Sequence, residues 1–182
     1  MLELPNKKYQ IIYADPPWLY EFSSTDSRKI ENQYDTMSID DIKNISIHTD
    51  DNCALFLWAT SPKLVEALEV MKSWGFKYKT HMIWDKSIIG MGYWFRGQHE
   101  LLLIGTRGNI SPPAESKRIS SVFVRRRTKH SRKPDEIRKM IEEWYPNETK
   151  IELFARQRFE GWDAWGNETP NEVQMKLGGK IC

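Results

Sequence analysis

The sequence predicts an α/β fold, a single domain built on a mixed, mostly parallel sheet flanked by helices. Short apolar runs rich in β-branched and aromatic residues alternate with segments of helical periodicity. Pro and Gly stand at most of the junctions. A chain of 182 residues suits one domain and is long enough to bury a core without disulfides.

The first strand is Tyr9–Ala14, apolar and β-prone although it alternates poorly. It runs straight into Asp15-Pro16-Pro17-Trp18. Two consecutive prolines continue neither a ladder nor a helix, so the chain must leave the sheet rigidly where a carboxylate is presented. In open α/β sheets, ligands bind beyond the carboxyl ends of the strands. The polar stretch Glu21–Gln33 is expected to be a mobile loop. Ser38-x-x-Asp41 has the spacing of a helix-capping box, and Cys53–Ala59 is a second apolar strand. Ser61 as a hydroxyl cap and Pro62 at the first position open a helix, with Leu64, Val65, Leu68 and Met71 on one face and Gly75 at its end.

Tyr78–Trp84 and Glu100–Thr106 are strands joined by the Gly- and aromatic-containing loop Ser87–Gln98, and Ile119–Val124 is a β-type run. Pro134 opens a helix whose Ile137, Met140, Ile141 and Trp144 recur at helical spacing before Pro146. Lys150–Phe154 is the last strand. Residues 1–168 then form the domain, and 169–182 form a polar, loosely ordered tail. No internal repeat is visible.

A net charge of +2 excludes a polycation steered by bulk charge. The distribution is uneven, with ten Lys or Arg between Lys117 and Lys139 against only Asp135 and Glu136. Such a run is either a solvated face or a phosphate grip. Arg125-Arg126-Arg127 and Lys129 follow a β-type run and precede a helix start, which favours a loop at a strand end. Cysteine is limited to Cys53 and Cys182, and neither C-x-x-C nor H-x-x-x-H spacing occurs, so no metal site or disulfide is expected. Met1–Lys8 lacks a signal-peptide pattern and no apolar stretch approaches the ~20 residues that span a bilayer, so a cytoplasmic protein without membrane attachment is expected. The four histidines show no base-orienter pattern.

Asp15-Pro16-Pro17-Trp18 is compatible with an ordinary turn followed by a core tryptophan. It also matches methyl transfer to an exocyclic nucleobase amine. That nitrogen is a weak nucleophile because its lone pair is delocalised into the ring. Acceptors aimed at its two hydrogens favour the tetrahedral state. Asp15 would take one hydrogen and the Pro16 carbonyl the other, while Pro17 has no competing donor. Trp18 would stack on the base, a contact worth roughly 1–3 kcal/mol.

The tetrad resembles the DPPW motif of the adenine-N6 methyltransferase family that includes the catalytic subunit of the messenger-RNA adenosine methyltransferase. Tyr34-Asp35-Thr36-Met37-Ser38, Phe56-Leu57-Trp58, Trp84-Asp85-Lys86, Glu100, Gly105 to Asn109, Ser131 to Ile137, Lys150 to Arg156 and Gly166-Asn167 are similar to its later segments, in order. The resemblance covers roughly residues 9–168 and suggests a small prokaryotic or phage-type member.

The resemblance implies a Rossmann-like AdoMet-dependent methyltransferase domain with permuted motif order, the catalytic motif first and the cofactor strand last. No G-x-G-x-x-G occurs, and the strand leading to Arg156 takes that part. The implied cofactor set is Asp15, Lys133, Glu152, Phe154, Arg156, Asn167 and Glu168, although Arg156 could instead pair with an acid and Asn167 could cap a turn. Ala155 stands where the family has Gly, Glu168 replaces an amide, and Gln157-Arg158-Phe159 departs from the family. Tyr34 and Glu100, with Arg125, Arg126, Arg127 and Lys129, would face the substrate.

The implied reaction is methylation of adenine N6 in DNA, with RNA as the alternative acceptor and a catalytically silent nucleic-acid-binding subunit as a reading of another class. With no separate target-recognition insert, specificity would come from the basic loop, residues 19–36 and 87–98, or a partner chain. A homodimer or a related partner subunit would widen the groove.

Overall fold

The poor alternation of the first strand has a structural cause. In the computed structural model, which describes residues 4–20, 36–127 and 132–166, strand β1 (Tyr9–Ala14) carries a bulge at Gln10. The Gln10 and Ile11 amides both donate to the Thr149 carbonyl, at 3.1 and 3.0 Å. One residue is thereby added to the period, so Tyr9 shares a face with Ile12 and Ala14, while Ile11 and Tyr13 point the other way.

The described residues form a seven-stranded sheet. Its strands are β1, β2 (Thr49–Ala59), β3 (Lys77–Asp85), β4 (His99–Arg107), β5 (Val122–Val124), β6 (Lys150–Leu153) and β7 (Asp163–Trp165), in the spatial order β5-β3-β4-β2-β1-β6-β7. Only β4 runs antiparallel to its neighbours. β1 and β2 sit in the middle, and both their faces are buried. Cys53, Leu55 and Leu57 pack with helices α1 (Ile39–Lys43) and α2 (Leu64–Ser73), whereas Phe56 and Trp58 pack with α3 (Asp135–Trp144). Burial pushes the Cys53 thiol up to about 12, which makes it an inert core residue.

Several local expectations are corrected. Ser61–Lys63 is a 3-10 turn with Thr60 at its cap position, and the Ser61 hydroxyl bonds His99 Nε2 at 3.0 Å instead of capping. Val65 is exposed, and α2 buries Ala67, Val70 and Met71. The β-type run Ile119–Val124 pairs only from Val122, and its apolar side chains Ile119, Val122 and Val124 face solvent. β2 begins at Thr49, four residues before the apolar run, because ladder pairing extends into polar sequence. The last expected strand stops at Leu153, and β7, three residues long, has too little pattern to be read. Ser38 does cap α1, accepting from the Asp41 amide at 3.1 Å. The expected loop Glu21–Gln33 and the tail 169–182 lie outside the described residues.

This topology gathers the functional sequence on one edge. β1, β3, β5 and β6 are mutually parallel across the sheet, so Asp15, Asp85-Lys86, Arg125 and Phe154 all leave it on the same side. β4 is reversed and starts there, which brings Glu100 to that edge as well. No helix among the described residues is long and apolar enough to cross a membrane.

Candidate active site

Asp15 leaves β1 into the diproline corner, and two backbone bonds hold that corner. Trp18 N–H donates to the Pro16 carbonyl at 2.9 Å, and Met37 N–H donates to the Pro17 carbonyl at 2.9 Å. The Pro16 carbonyl keeps a second lone pair. Trp18 is not an open platform in this structure. Its ring is 5% exposed and packed in the core, and its Nε1–H donates to the Trp58 carbonyl at 3.2 Å. In this arrangement the ring anchors the corner to the core, where its apolar surface gains by burial.

The Asp15 carboxylate is a quarter exposed and takes Lys133 Nζ on both oxygens, each at 2.7 Å. Lys133 also meets Glu100 Oε2 at 3.3 Å, and Lys86 meets Glu100 Oε1 at 3.2 Å. Charges therefore alternate along Lys86, Glu100, Lys133 and Asp15. Burial works against the Lys133 ammonium, but Asp15 and Glu100 hold its pKa above the ordinary value. Burial opposes the Glu100 carboxylate too, yet Lys133 and Lys86 bring it below its ordinary value. Asp15 is raised because burial, reinforced by Glu100, outweighs the pull of Lys133 and Arg156. Glu100 thus helps to hold the charge on Lys133.

Two clefts meet at this network. The first holds about 250 Å³ and is lined by Asp15, Lys133, Glu152, Phe154 and Arg156, five of the seven residues expected to hold a cofactor. Gln157 and Phe159, from the segment that departs from the family, line it as well. Phe154 adopts a left-handed backbone with φ 61°, rare for an aromatic residue, which ends β6 and sets its ring edge-on to Trp165 at 5.5 Å. A Cβ on Gly166 would lie 2.3 Å from the Ala155 carbonyl oxygen, so the chain leaving β7 closes flush against the backbone after β6 and needs glycine there.

Glu152 is the unusual member of this cleft. Its Oε2 is buried without a hydrogen-bond partner among the described residues. Burial, opposed by Arg138 and reinforced by Asp15 and Asp135, pushes its carboxyl up to about 7. Sequence reasoning missed Tyr13 and Arg138, which line the same cleft. Tyr13 accepts from Trp58 Nε1 at 2.7 Å and burial keeps its phenol neutral. Arg138 pairs with Glu142 and lies over the Phe159 ring at 3.2 Å. A buried arginine on the apolar face of α3 carries no periodic signal.

The second cleft holds about 440 Å³ and is basic, with Arg125, Arg126, Arg127 and Lys139 among its lining residues. Arg132 to Asp135 border both clefts and form the wall between them. Arg125 pairs with Glu136 at 2.9 Å, whereas Arg126 and Arg127 make no ion pair among the described residues. Tyr34, Lys129, Asn167 and Glu168 lie outside the described residues, and no cluster able to hold a metal occurs among those described.

Comparison with known proteins gives this edge its context. The MT-A70 family model matches residues 9–168, from the first residue of β1 to just beyond β7. The chain belongs to the MT-A70 family. Relatives of this MT-A70 chain include the type II methyltransferase M.MunI of a Mycoplasma species, 34% identical over 98% of the chain and 86% of that protein. The human N(6)-adenosine-methyltransferase catalytic subunit METTL3 is 31% identical over 88% of the chain, and an Arabidopsis thaliana MT-A70-like N(6)-adenosine-methyltransferase is 32% identical over the same share. The MT-A70 chain spans about a quarter of these longer eukaryotic relatives, 28% and 24%.

Proposed function

We propose that the protein transfers a methyl group from AdoMet to the N6 amine of adenine in DNA. The observation that carries this reading is that the two clefts share the wall Arg132 to Asp135, whose Lys133 holds Asp15, the carboxylate that ends the diproline corner's strand and lines the charged, partly apolar donor cleft. DNA is favoured over RNA because the relative matched along nearly its whole length is a type II methyltransferase. The adenine N6 target follows from the N(6)-adenosine relatives.

The donor cleft suits AdoMet in chemistry. At about 250 Å³ it falls just under the roughly 300–1,000 Å³ of pockets that enclose drug-sized ligands, so it would hold part of the molecule with the rest over its rim. Lys133 and Arg156 are matched to a carboxylate, Asp15 to an ammonium, and Glu152 to hydroxyl or amine hydrogens that its unpartnered oxygen can accept. AdoMet, when bound, supplies the electrophilic methyl group.

The chain's own residues do the rest. Asp15 accepts from one amine hydrogen, and Lys133 holds that carboxylate by both oxygens and opposes the burial that disfavours its charge. The free lone pair of the Pro16 carbonyl accepts from the other hydrogen. Both acceptors are in place before the reaction, so little reorganisation accompanies the change at nitrogen. The amine proton leaves to water after transfer. Arg126 and Arg127 grip phosphates beside the corner.

The test is product analysis. Purified protein is incubated with methyl-labelled AdoMet and either duplex DNA or RNA, and the polymer is digested to nucleosides. Label is expected in N6-methyl-2′-deoxyadenosine. Label in cytosine, label confined to RNA, or no label from demonstrably folded protein would each overturn the reading.

A further inference from the structure

The loop between β3 and β4 breaks an ordinary rule of protein surfaces. Tyr93, Trp94 and Phe95 are consecutive and 94%, 95% and 88% exposed, with Ile89 and Met91 also largely in solvent. Large aromatic side chains gain by burial, so three displayed together at one tip mark a surface with an occupant.

The tip is also held in shape. Gly90 N–H donates to the Gly97 carbonyl at 2.8 Å, Gly97 N–H donates to the Met91 carbonyl at 3.1 Å, and Arg96 Nε–H donates to the Gly90 carbonyl at 2.8 Å. A Cβ on Gly92 would lie 1.9 Å from the Phe95 carbonyl oxygen, so this turn needs glycine there. At the stem, Asp85 accepts from the Ser87 amide and from Gln98 Nε2, and Lys86 reaches Glu100.

Its surroundings say what the occupant is. The arginine run is laced to the loop's stem, Arg125 N–H donating to the Asp85 carbonyl at 3.0 Å and Arg127 N–H to the Lys86 carbonyl at 3.2 Å. Aromatic tip and phosphate-binding arginines thus form one unit on the Asp15 edge. The tip carries Arg96 and no acidic residue between Ser87 and Gln98. A polyanion with stackable faces fits this combination.

We propose that Tyr93, Trp94 and Phe95 form a wedge that enters the base stack of duplex DNA next to the target adenine and supports the gap left when that base turns out toward Asp15. The wedge rests on the adenine-methylation reading above. An adenine inside a duplex cannot reach Asp15, and side chains inserted between base steps offset the lost stacking. The loop is therefore needed for paired substrate and dispensable for an adenine already unpaired.

That asymmetry is the test. Trp94→Ala and the triple Tyr93→Ala, Trp94→Ala, Phe95→Ala variant are compared with the unaltered protein in methyl transfer to a duplex and to one of its single strands. AdoMet affinity and sedimentation are measured alongside. The expected result is a 10- to 100-fold fall in kcat/KM on the duplex for Trp94→Ala, a larger fall for the triple variant, and a change within about threefold on the single strand. AdoMet affinity and oligomeric state should not change. Equal losses on both substrates, no loss on either, or a loss that tracks dissociation of a dimer would overturn the wedge, the last assigning the loop to a second copy of the chain. Failure of the unaltered protein on both substrates would instead overturn the methylation reading, and the wedge with it.

Discussion

Glu152 shows how one buried side chain can tie stability to pH. Its carboxyl is pushed up to about 7 by burial, against an ordinary value near 4.3. Between those values the folded protein holds a proton that the unfolded chain releases, so stability falls as pH rises through the window. Above about pH 7 the folded state carries the full penalty of a buried carboxylate, on the order of 3 kcal/mol. Glu152→Gln removes the titration. In urea unfolding from pH 5 to 8.5 without cofactor, the stability of the variant relative to the parent is expected to rise with pH and level off above 7. Parallel curves would contradict the titration. None of this was legible in the sequence, where Glu152 was a motif position; its pKa depends on Arg138, Asp15 and Asp135, brought in from other elements.

The diproline corner is an element whose tryptophan the structure places in the core. The sequence foresaw its rigidity, because two prolines at a strand end have few conformations. It did not reveal the ring's direction, since tryptophan suits both a base stack and a core. In the structure Trp18 ties the corner to β2 through the Trp58 carbonyl. Trp18→Phe loses that bond and part of the ring, and is expected to cost about 2–3 kcal/mol in urea unfolding. KM for DNA should change by no more than a few fold. Unchanged stability with a strongly raised KM would favour stacking over anchoring. β1 was read to its last residue because both its faces are buried, whereas β5 and β7, three residues each, carry too little pattern. The bulge at Gln10 was equally hidden, for it depends on Thr149 from the far end of the chain.

Across the whole molecule, the sheet joins two ends of the sequence. β6 pairs with β1 in parallel, placing Glu152 beside Tyr13 and Leu153 beside Ala14. Cleft-lining residues from the last third of the chain therefore reach the corner formed near its start. The alternating element order was legible because apolar runs and caps are local signals. The single antiparallel strand was not, because direction in a sheet is set by partners rather than by sequence period. Yet reversed β4 is what delivers Glu100 to Lys133, and Lys133 to Asp15. If this edge joins donor and acceptor as proposed, Asp15 polarises the amine while the donor cleft binds AdoMet largely through other residues. Asp15→Asn keeps the side chain's shape and removes its charge. With AdoMet affinity followed by calorimetry and methyl transfer to duplex DNA followed by label, the variant should bind AdoMet within about tenfold of the parent and lose at least 100-fold in kcat. Turnover near the parent's rate would remove Asp15, and with it the acceptor corner, from the reaction.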